Sequence, residues 1–417
     1  MNKERTNKLI PESRFPEFAN EGEWQYLYGN KLFQSISNKN HKSDLPILAI
    51  TQDQGAIPRD LINYNVIVTE KSVESYKVVE IGDFIIGLRS FQGGIEYSKY
   101  KGICSPAYII LRKIKKESQN EFYRYYFKTN LYIRDLNKNL EGIRDGKMIS
   151  YAQFSEILLP SPNPIEQQKI ADCLSSLDEL ITVHSDKLEA LKTYKKGLMQ
   201  NIFPQEGEKV PKFRFKEFVK DEEWDRKTLG EISLCVNEKV GDRKFTLISI
   251  DSGIGLISQL EKFGREIAGN SYSNYIVMKR HDFAFNKSST KIFPEGQISI
   301  LDKYESGAVP NSIFTCFRAK IEKVYPYYLK FLFDNNIHGK WLRKFIAIGA
   351  RANGALNINN NDLFALQIPL PNMNEQVKIA ETLLSLDELI LQQTNKLEQT
   401  KSHKKGLMQC LFPKTNE

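Results

Sequence analysis

The sequence predicts an α+β protein with an internal repeat, in which two similar mixed α/β modules are separated by two long antiparallel coiled-coil helices related by a pseudo-two-fold axis. Three observations lead to this prediction. A 43-residue segment occurs twice, its apolar residues recur with the spacing of a coiled coil, and a strand-rich stretch precedes each copy.

The duplicated segment is the strongest signal in the chain. Residues 162–204, beginning PNPIEQQKIA, return 209 residues later as residues 371–413, beginning PNMNEQVKIA, and 26 of the 43 aligned positions are identical. A shorter echo precedes each copy, because the Arg-Phe-x-Glu-Phe pattern at 14–18 and the tryptophan at 24 recur at a spacing of 200. A tandem duplication predicts a function that is two-fold as well.

Apolar residues in each copy alternate at spacings of four and three, which averages about 3.5 residues and predicts a coiled coil. The predicted packing residues are Ile170, Leu174, Leu177, Ile181 and Leu188 in the first helix and Ile379, Leu383, Leu386, Ile390 and Leu397 in the second. Because two copies that close on each other are usually related by a two-fold axis, the pair is predicted to be antiparallel. Each helix would be roughly 55 Å long.

Polar residues also occupy this seam, at His184, Gln393, Lys195 and Lys404. They either set the helix register or are tolerated near solvent, and for the two lysines the solvent interpretation is favoured. The adjacent carboxylates at 178–179 and 387–388 point apart on a helix, which predicts a solvated or partner-facing edge.

The stretches before the two helices, roughly residues 20–160 and 225–369, differ more from each other than the helices do. Apolar runs between turns predict strands at 45–51, 65–69, 83–88 and 107–113, and at 245–250, 282–285, 298–301 and 313–319. Aromatic spacing predicts helices at 122–131 and 327–333. Weak echoes, such as Gly-Asp-Phe-Ile at 82–85 against His-Asp-Phe-Ala at 281–284, indicate that both modules share one fold.

Composition narrows the class of protein. The 417 residues carry a net charge of +8, a mild indication of a polyanionic partner. No run of 18 apolar residues and no apolar stretch after the charged N-terminus is present, so a cytoplasmic protein is expected. The five cysteines lie far apart without a CxxC pair, which favours free thiols over a zinc site or a disulfide framework.

Signatures of catalysis are missing from the sequence. It contains no phosphate-binding loop, GxSxG, HExxH or GxGxxG pattern, nor the Asp-Pro-Pro-aromatic type of motif used by amino-group methyltransferases. The five histidines are scattered and are better explained as surface or seam residues. No catalytic and no metal-binding residue is predicted.

Taken together, the lead-in pattern F-x-E-F…EW, the helix start PxPxxEQxKIA, the segment LSxLDELI and the helix end KKGLMQxxFP resemble the specificity subunit of type I restriction-modification systems. The resemblance covers nearly the whole chain. It implies a first target recognition domain with its lead-in at 1–160, a spacer helix at 161–204, a linker and second target recognition domain at 205–369, and a second spacer helix at 370–417.

The resemblance also implies the partners. Members of this family recognise a bipartite, asymmetric site in double-stranded DNA and hold two methyltransferase subunits, which methylate adenine N6, and restriction subunits join through that complex. The chain itself is then expected to be non-catalytic and to bind no cofactor. S-adenosylmethionine would belong to the methyltransferase subunits, and ATP and magnesium to the restriction subunits.

Loops in which glycine lies beside Arg, Lys, Gln or Asn are the expected readers of base edges, because glycine permits close approach and these side chains form specific hydrogen bonds with bases. The predicted DNA-binding residues are Arg89, Gln92, Arg144 and Lys147 in the first module and Asn286, Lys287, Arg351 and Asn353 in the second. Each is equally well explained as a surface charge or a turn former. For the lysine pairs at 195–196 and 404–405, a partner-facing or solvated role is favoured over contact with phosphate.

Two other functions remain open at this point. A self-contained methyltransferase or nuclease with an unfamiliar site would have to bind its cofactor as the isolated chain. A stand-alone coiled-coil protein with an architectural or regulatory role on DNA would work without methyltransferase partners.

Overall fold

The computed structural model describes residues 10–42, 44–62, 73–88, 90–114, 119–138, 149–268, 271–346 and 356–413. The chain forms two compact units, one made of Met1–Asp186 with Asn395–Glu417 and the other of Lys187–Thr394. We call them unit 1 and unit 2. Each contains one strand-rich module and a segment of each long helix, whereas the domain boundaries expected from the sequence stay a prediction.

Unit 1 is built on antiparallel strands. In its described residues, a four-stranded sheet has the order Phe33–Ile36, Ile109–Lys113, Phe84–Ile86 and Glu96–Tyr97. Two-stranded ladders join Gln25–Tyr28 to Leu158–Ser161, Leu48–Thr51 to Gly55–Pro58, and Lys77–Val79 to Gly102–Cys104. The helices of the module are Gly29–Leu32, Ser90–Gly93, Asn120–Tyr126, Asn130–Lys138 and Tyr151–Ser155, with 3-10 turns at Pro16–Phe18 and Arg59–Leu61.

Unit 2 repeats this topology. Its described four-stranded sheet has the order Ser233–Val236, Phe314–Ala319, Asp282–Asn286 and Gln297–Ile300. The ladders join Asp225–Thr228 to Gln367–Leu370, Ile248–Asp251 to Gly255–Ser258, and Ile276–Lys279 to Ser306–Val309. The helices are Leu229–Ile232, Gln259–Phe263, Pro326–Asp334, Ile337–Leu342 and Asn360–Phe364, with 3-10 turns at Lys216–Phe218 and Tyr272–Asn274. The two modules therefore share one fold, as their weak sequence echoes predict.

Most predicted strands coincide with observed ones to within a few residues, while the predicted strand at 65–69 lies outside the described residues. The single helix expected at 122–131 is instead two helices, interrupted at 127–129. The hydroxyl of Thr129 donates to the carbonyl of Tyr126 and accepts the N–H of Tyr132, so it ends one helix and begins the next. The break directs the Phe127 side chain into the aromatic core.

The two long helices span Pro164–Ile202 and Met373–Cys410. Each begins where an asparagine side chain caps it, because Asn163 accepts the N–H of Glu166 at 2.8 Å and Asn372 accepts that of Glu375 at 3.0 Å. The described helices include none that is both long and apolar enough to cross a membrane.

Within each unit, the segments of the two long helices run antiparallel, which confirms the predicted coiled-coil arrangement. In unit 1, Ile170 and Leu174 share a core with Leu411, and in unit 2, Ile379 and Leu383 share a core with Ile202. The remaining predicted packing residues are buried or half-buried as well. Burial of this stripe removes from water the apolar surface that a single helix would leave exposed.

A buried ion pair joins the lead-in segment to the start of the long helix in each unit. The Arg14 guanidinium donates from Nε and Nη2 to the two carboxylate oxygens of Glu166, both at 2.7 Å, and Arg214 does the same with Glu375 at 2.9 and 2.8 Å. In both units, the hydrogen bond to the glutamate raises the arginine pKa. The repeated lead-in and the repeated Glu-Gln sequence are thus two halves of one contact.

The glutamine that follows this glutamate binds the long helix to a helix of the module. Gln167 accepts the backbone N–H of Gln119, at the start of helix Asn120–Tyr126, at 3.0 Å. In unit 2, Gln376 accepts the N–H of Tyr325 at 2.9 Å, at the start of helix Pro326–Asp334. Two adjacent residues therefore tie three segments of each unit together.

Tryptophan provides an internal comparison of the two contacts. Nε1 of Trp24 donates to Glu166 at 3.1 Å, whereas within the part of the chain that the structure describes, the buried Nε1 of Trp224 meets no acceptor. We expect Trp24→Phe to destabilise unit 1 by about 1–3 kcal/mol more than Trp224→Phe destabilises unit 2, because only the first breaks a buried hydrogen bond to a charged group. Hydrogen-exchange mass spectrometry on peptides of each unit measures both values in one experiment. Equal losses would contradict the role given to the Trp24 hydrogen bond.

His338 is expected to make unit 2 sensitive to acid. Its side chain is buried, Nε2 lies 3.1 Å from the carbonyl oxygen of Gly296, and burial lowers its pKa from 6.5 to about 4. Between these values the unfolded chain binds a proton that the folded unit does not, so stability is lost as the pH falls from 6.5 towards 4. We expect His338→Gln to reduce the pH dependence of unit 2 unfolding by up to about 1.4 kcal/mol per pH unit. Urea unfolding at pH 7, 6 and 5 measures the slope, and an unchanged slope would refute the assignment.

Candidate nucleic-acid interface

Each unit has a groove beside one long helix. In unit 1 the groove has a volume of about 770 Å³ and is lined by residues 128–131, Arg134, Ile181 and the segment 401–413. In unit 2 it has a volume of about 660 Å³ and is lined by the segment 192–200, the sheet strand 297–300, the helix end 333–336 and the turn 253–255. Each groove thus lies between a module and a helix segment of its own unit.

Lysines occupy equivalent positions in both grooves. Unit 2 presents Lys192, Lys195 and Lys196, and 209 residues later unit 1 presents Lys401, Lys404 and Lys405. Lys128 and Arg134 also line the groove of unit 1, where Lys128 is paired with Glu96. Lys330 lines the groove of unit 2 and is paired with Asp334 of the same lining. A groove lined by cations is suited to a polyanion such as the sugar-phosphate backbone of a nucleic acid.

The middle lysine of each set is held by an ion pair. Lys404 contacts Asp178 in unit 1, and Lys195 contacts Asp387 in unit 2. The seam lysines are thus mostly buried and paired with the other long helix, which favours the register-setting interpretation over mere tolerance near solvent. Asp178 and Asp387 remain 30% and 38% exposed, so the expected solvated or partner-facing edge stays a prediction, and each aspartate is in addition paired with a lysine of the other long helix.

The same ion pairs contact the modules. In unit 1 the hydroxyl of Tyr125 donates to Asp178 at 2.8 Å, and Nζ of Lys404 lies 5.0 Å from the centre of the Tyr125 ring. In unit 2, Nζ of Lys195 lies 5.2 Å from the centre of the Phe331 ring. Each Asp-Lys-aromatic cluster fixes a module helix against the long helices, since a cation over an aromatic face is favourable when shielded from water.

Within the described ranges, the first and third lysines of each set are not held by an ion pair to the other long helix. Lys192 and Lys401 pair with glutamates one turn earlier, at 2.8 and 2.9 Å, and such exposed pairs contribute little to stability. Lys196 and Lys405 are exposed, and no ion pair is found for either among the residues that the structure describes. They are the cations of the grooves that are best placed to bind an external anion.

A pair between a buried aspartate and a partly exposed arginine links the two central strands of each four-stranded sheet. Asp83 accepts from Arg112 at 2.8 and 2.7 Å, and Asp282 accepts from Arg318 at 2.6 and 2.7 Å. The hydrogen bond to the aspartate raises the pKa of both arginines. In unit 2 the strand is thus fixed at the end opposite Asn286, and in unit 1 at the end opposite the helix Ser90–Gly93, which carries Gln92.

The structure describes three of the predicted DNA-binding residues. Gln92 is exposed on helix Ser90–Gly93, while Asn286 is buried and accepts the N–H of Ser288 at 3.2 Å. Lys287 is half-buried, and its carbonyl accepts the N–H of Leu356 at 2.7 Å. The others, Arg89, Arg144, Lys147, Arg351 and Asn353, lie outside the described residues. Contact with DNA stays a prediction for all eight.

The residues described include no cluster of His, Cys, Asp and Glu side chains that could hold a metal ion. Cys104 and Cys316 are buried, and burial raises the pKa of both thiols, that of Cys104 to about 12. A thiol with so high a pKa is a poor nucleophile at neutral pH. These two thiols are therefore core residues.

The groove lysines repeat as Lys-x-x-Lys-Lys at a spacing of 209, which is the sequence signal that marks them as equivalent positions in the two units. The partner-facing or solvated role favoured for Lys196 and Lys405 stays a prediction. The hairpins 48–58 and 248–258 were not singled out, because a three-residue turn between short strands is common and carries no motif.

Comparison with known proteins gives consistent matches. The family model described as the type I restriction modification DNA specificity domain matches residues 25–193 and again residues 222–400. The type I restriction enzyme MjaVIII specificity subunit of Methanocaldococcus jannaschii is 26% identical over 347 residues, covering 80% of this chain and 79% of that protein. The putative MjaX specificity subunit of the same organism is 27% identical over 282 residues, covering 63% and 60%.

A solved structure has a similar fold. The S subunit of a type I restriction-modification system from M. genitalium aligns with a TM-score of 0.56 at 13% identity, over 98% of this chain and 100% of that one. At this identity the similarity supports the fold alone.

Neutralising Lys196 and Lys405 together is expected to weaken DNA binding without changing sequence preference. Each lost phosphate contact should reduce the slope of log affinity against log salt by about 0.9. The matched control is Lys187→Gln with Lys396→Gln, since these exposed lysines are on the same helices at the same spacing but outside the grooves. Fluorescence anisotropy at several salt concentrations measures both slopes. A control pair that lowers the slope as much as the groove pair would show that the grooves are not the contact site.

Proposed function

Because the chain belongs to the type I restriction-modification DNA specificity family, we propose that it recognises a bipartite, asymmetric DNA target and holds two adenine-N6 methyltransferase subunits on it. The observation that supports this most directly is the doubled match. The family model matches each half once, and each half builds its own sheet, hairpin and basic groove. Each unit then reads one half of the target.

Differences between the units support an asymmetric target. The described strands of the two modules correspond one to one, yet the sequences that follow the equivalent strands Phe84–Ile86 and Asp282–Asn286 differ, with Leu-Arg-Ser-Phe-Gln at 88–92 and Lys-Ser-Ser-Thr-Lys at 287–291. Since base-edge contacts set sequence preference, unlike loops on like frames read unlike half-sites. A wrong base pair in either half would cost about 1–3 kcal/mol.

Surface residues that recur in both units support the binding of two copies of one partner protein. Several exposed residues of the long helices recur at the spacing of 209 and take no part in the ion-pair clusters, among them Leu180 and Leu389, each 48% exposed. Glu179 recurs likewise as Glu388. Identical surfaces suit identical partners, so we assign them to the two methyltransferase subunits, through which the restriction subunits would join.

In this proposal the chain supplies recognition and no chemistry. S-adenosylmethionine would be bound by the methyltransferase subunits, and ATP and magnesium by the restriction subunits. The reaction would take place in the cytoplasm, where these subunits meet the DNA.

Exchange of one module tests the proposal. Residues 20–160 are replaced by the corresponding segment of another specificity subunit, and the methylated sequence of cells that carry the methyltransferase subunit is determined by methylome sequencing. We expect one half of the target to change and the other half to stay the same, because unit 2 is untouched.

A change in both halves would contradict independent reading by the two modules. Co-purification adds a second check, since a chain that protects its DNA site without any bound methyltransferase would support a stand-alone DNA-binding protein instead. Methyl transfer by the purified chain alone would refute the non-catalytic assignment.

A further inference from the structure

The hairpins 48–58 and 248–258 are structurally equivalent in the two units. Leu48 pairs with Pro58 and Thr51 with Gly55, and in unit 2 Ile248 pairs with Ser258 and Asp251 with Gly255. Every pair is shifted by 200 residues, so the register is the same. Both hairpins have their inward side chains in a core, which holds their turns in a fixed position.

The turn of the unit 2 hairpin presents an apolar side chain to solvent. Ile254 is 74% exposed and lies between Gly253 and Gly255, whose φ angles are +96° and +101°. An L side chain is strained at such angles, so the two glycines allow a tight turn that only glycine forms easily. The equivalent residue of unit 1 is Gln54, which is also exposed. One frame therefore carries an apolar residue in one unit and an amide in the other.

The surroundings of Ile254 favour DNA over an apolar protein surface. Among the exposed residues that line the groove of unit 2, Ile254 has the apolar side chain, and the others are Lys192, Lys196, Gln200, Gly253, Asp334 and Asn336. The apolar lining residues Ile298, Ile300 and Phe333 are buried in the core of the module. The lysines of this groove suit the phosphates of a DNA duplex. The apolar side chain at the tip of the turn suits an apolar group on the edges of the bases. In the major groove, the C5 methyl of thymine is the apolar feature of the base edges.

We propose that Ile254 determines specificity in unit 2 by contacting the C5 methyl of one thymine in the half-site of that unit. This inference rests on the proposed function, because it assumes that the chain reads DNA. At the equivalent position of the other hairpin, Gln54 is suited to the bidentate hydrogen bonds that glutamine makes with adenine. Residues 54 and 254 then occupy the same position of two hairpins that share one strand register.

Deoxyuridine substitution tests the contact, because deoxyuridine lacks only the methyl group. The complex of the full chain with its methyltransferase subunits is titrated with duplexes in which each thymine of the target is replaced in turn. We expect the affinity of the unchanged complex to fall about 3- to 10-fold at one position of one half-site, as the loss of one buried methyl implies. For Ile254→Ala, the affinities for thymine and deoxyuridine at that position should be equal.

The matched control is Ile321→Ala, because Ile321 is 73% exposed in unit 2 but does not line the groove. It should keep the full sensitivity to deoxyuridine, as should Gln54→Ala. An Ile254→Ala complex that keeps this sensitivity, or that binds all duplexes more weakly by the same factor, would overturn the proposal. So would a target without any methyl-sensitive thymine. A wild-type complex with no sequence preference would instead refute the proposed function itself.

Discussion

The buried pairs between Arg14 and Glu166 and between Arg214 and Glu375 are the contacts on which each unit depends. A buried charge is costly unless it is paired and hydrogen-bonded, and here each guanidinium contacts both carboxylate oxygens and nearby backbone carbonyls. The glutamate lies in the first turn of a long helix, where its negative charge also suits the helix dipole. The pair thereby fixes where the helix starts relative to the lead-in and the module.

The repeat made most of the fold predictable. A spacing of four and three over ten positions leaves no other structure for residues 164–202, and alternating apolar residues placed the main strands close to their observed bounds. The internal contacts were not predictable in the same way, because Arg14 and Glu166 are 152 residues apart and either residue alone is typical of a surface. Their roles can be recognised only from the structure, in which the repeated lead-in contacts the repeated start of the long helix.

The recognition surface was harder to predict for a physical reason. Repetition identifies what the two units have in common, such as Lys196 and Lys405, whereas specificity depends on what differs between them. Gln54 and Ile254 occupy the same position of the same hairpin and have no chemical property in common. No repeated sequence motif therefore marks these two residues. Their equivalence follows only from the strand register that the two hairpins share.

Unit 1 combines residues up to 186 with residues 395–417, whereas unit 2 is a continuous segment. On the ribosome, the first module must therefore wait for a helix segment that is synthesised only after the whole of unit 2, while the second module can complete its own core earlier. A chain that stops prematurely would leave Leu174 and Phe122 without Leu411 and Phe412. Until residues 395–413 have been synthesised, this apolar surface of unit 1 stays exposed to chaperones and proteases.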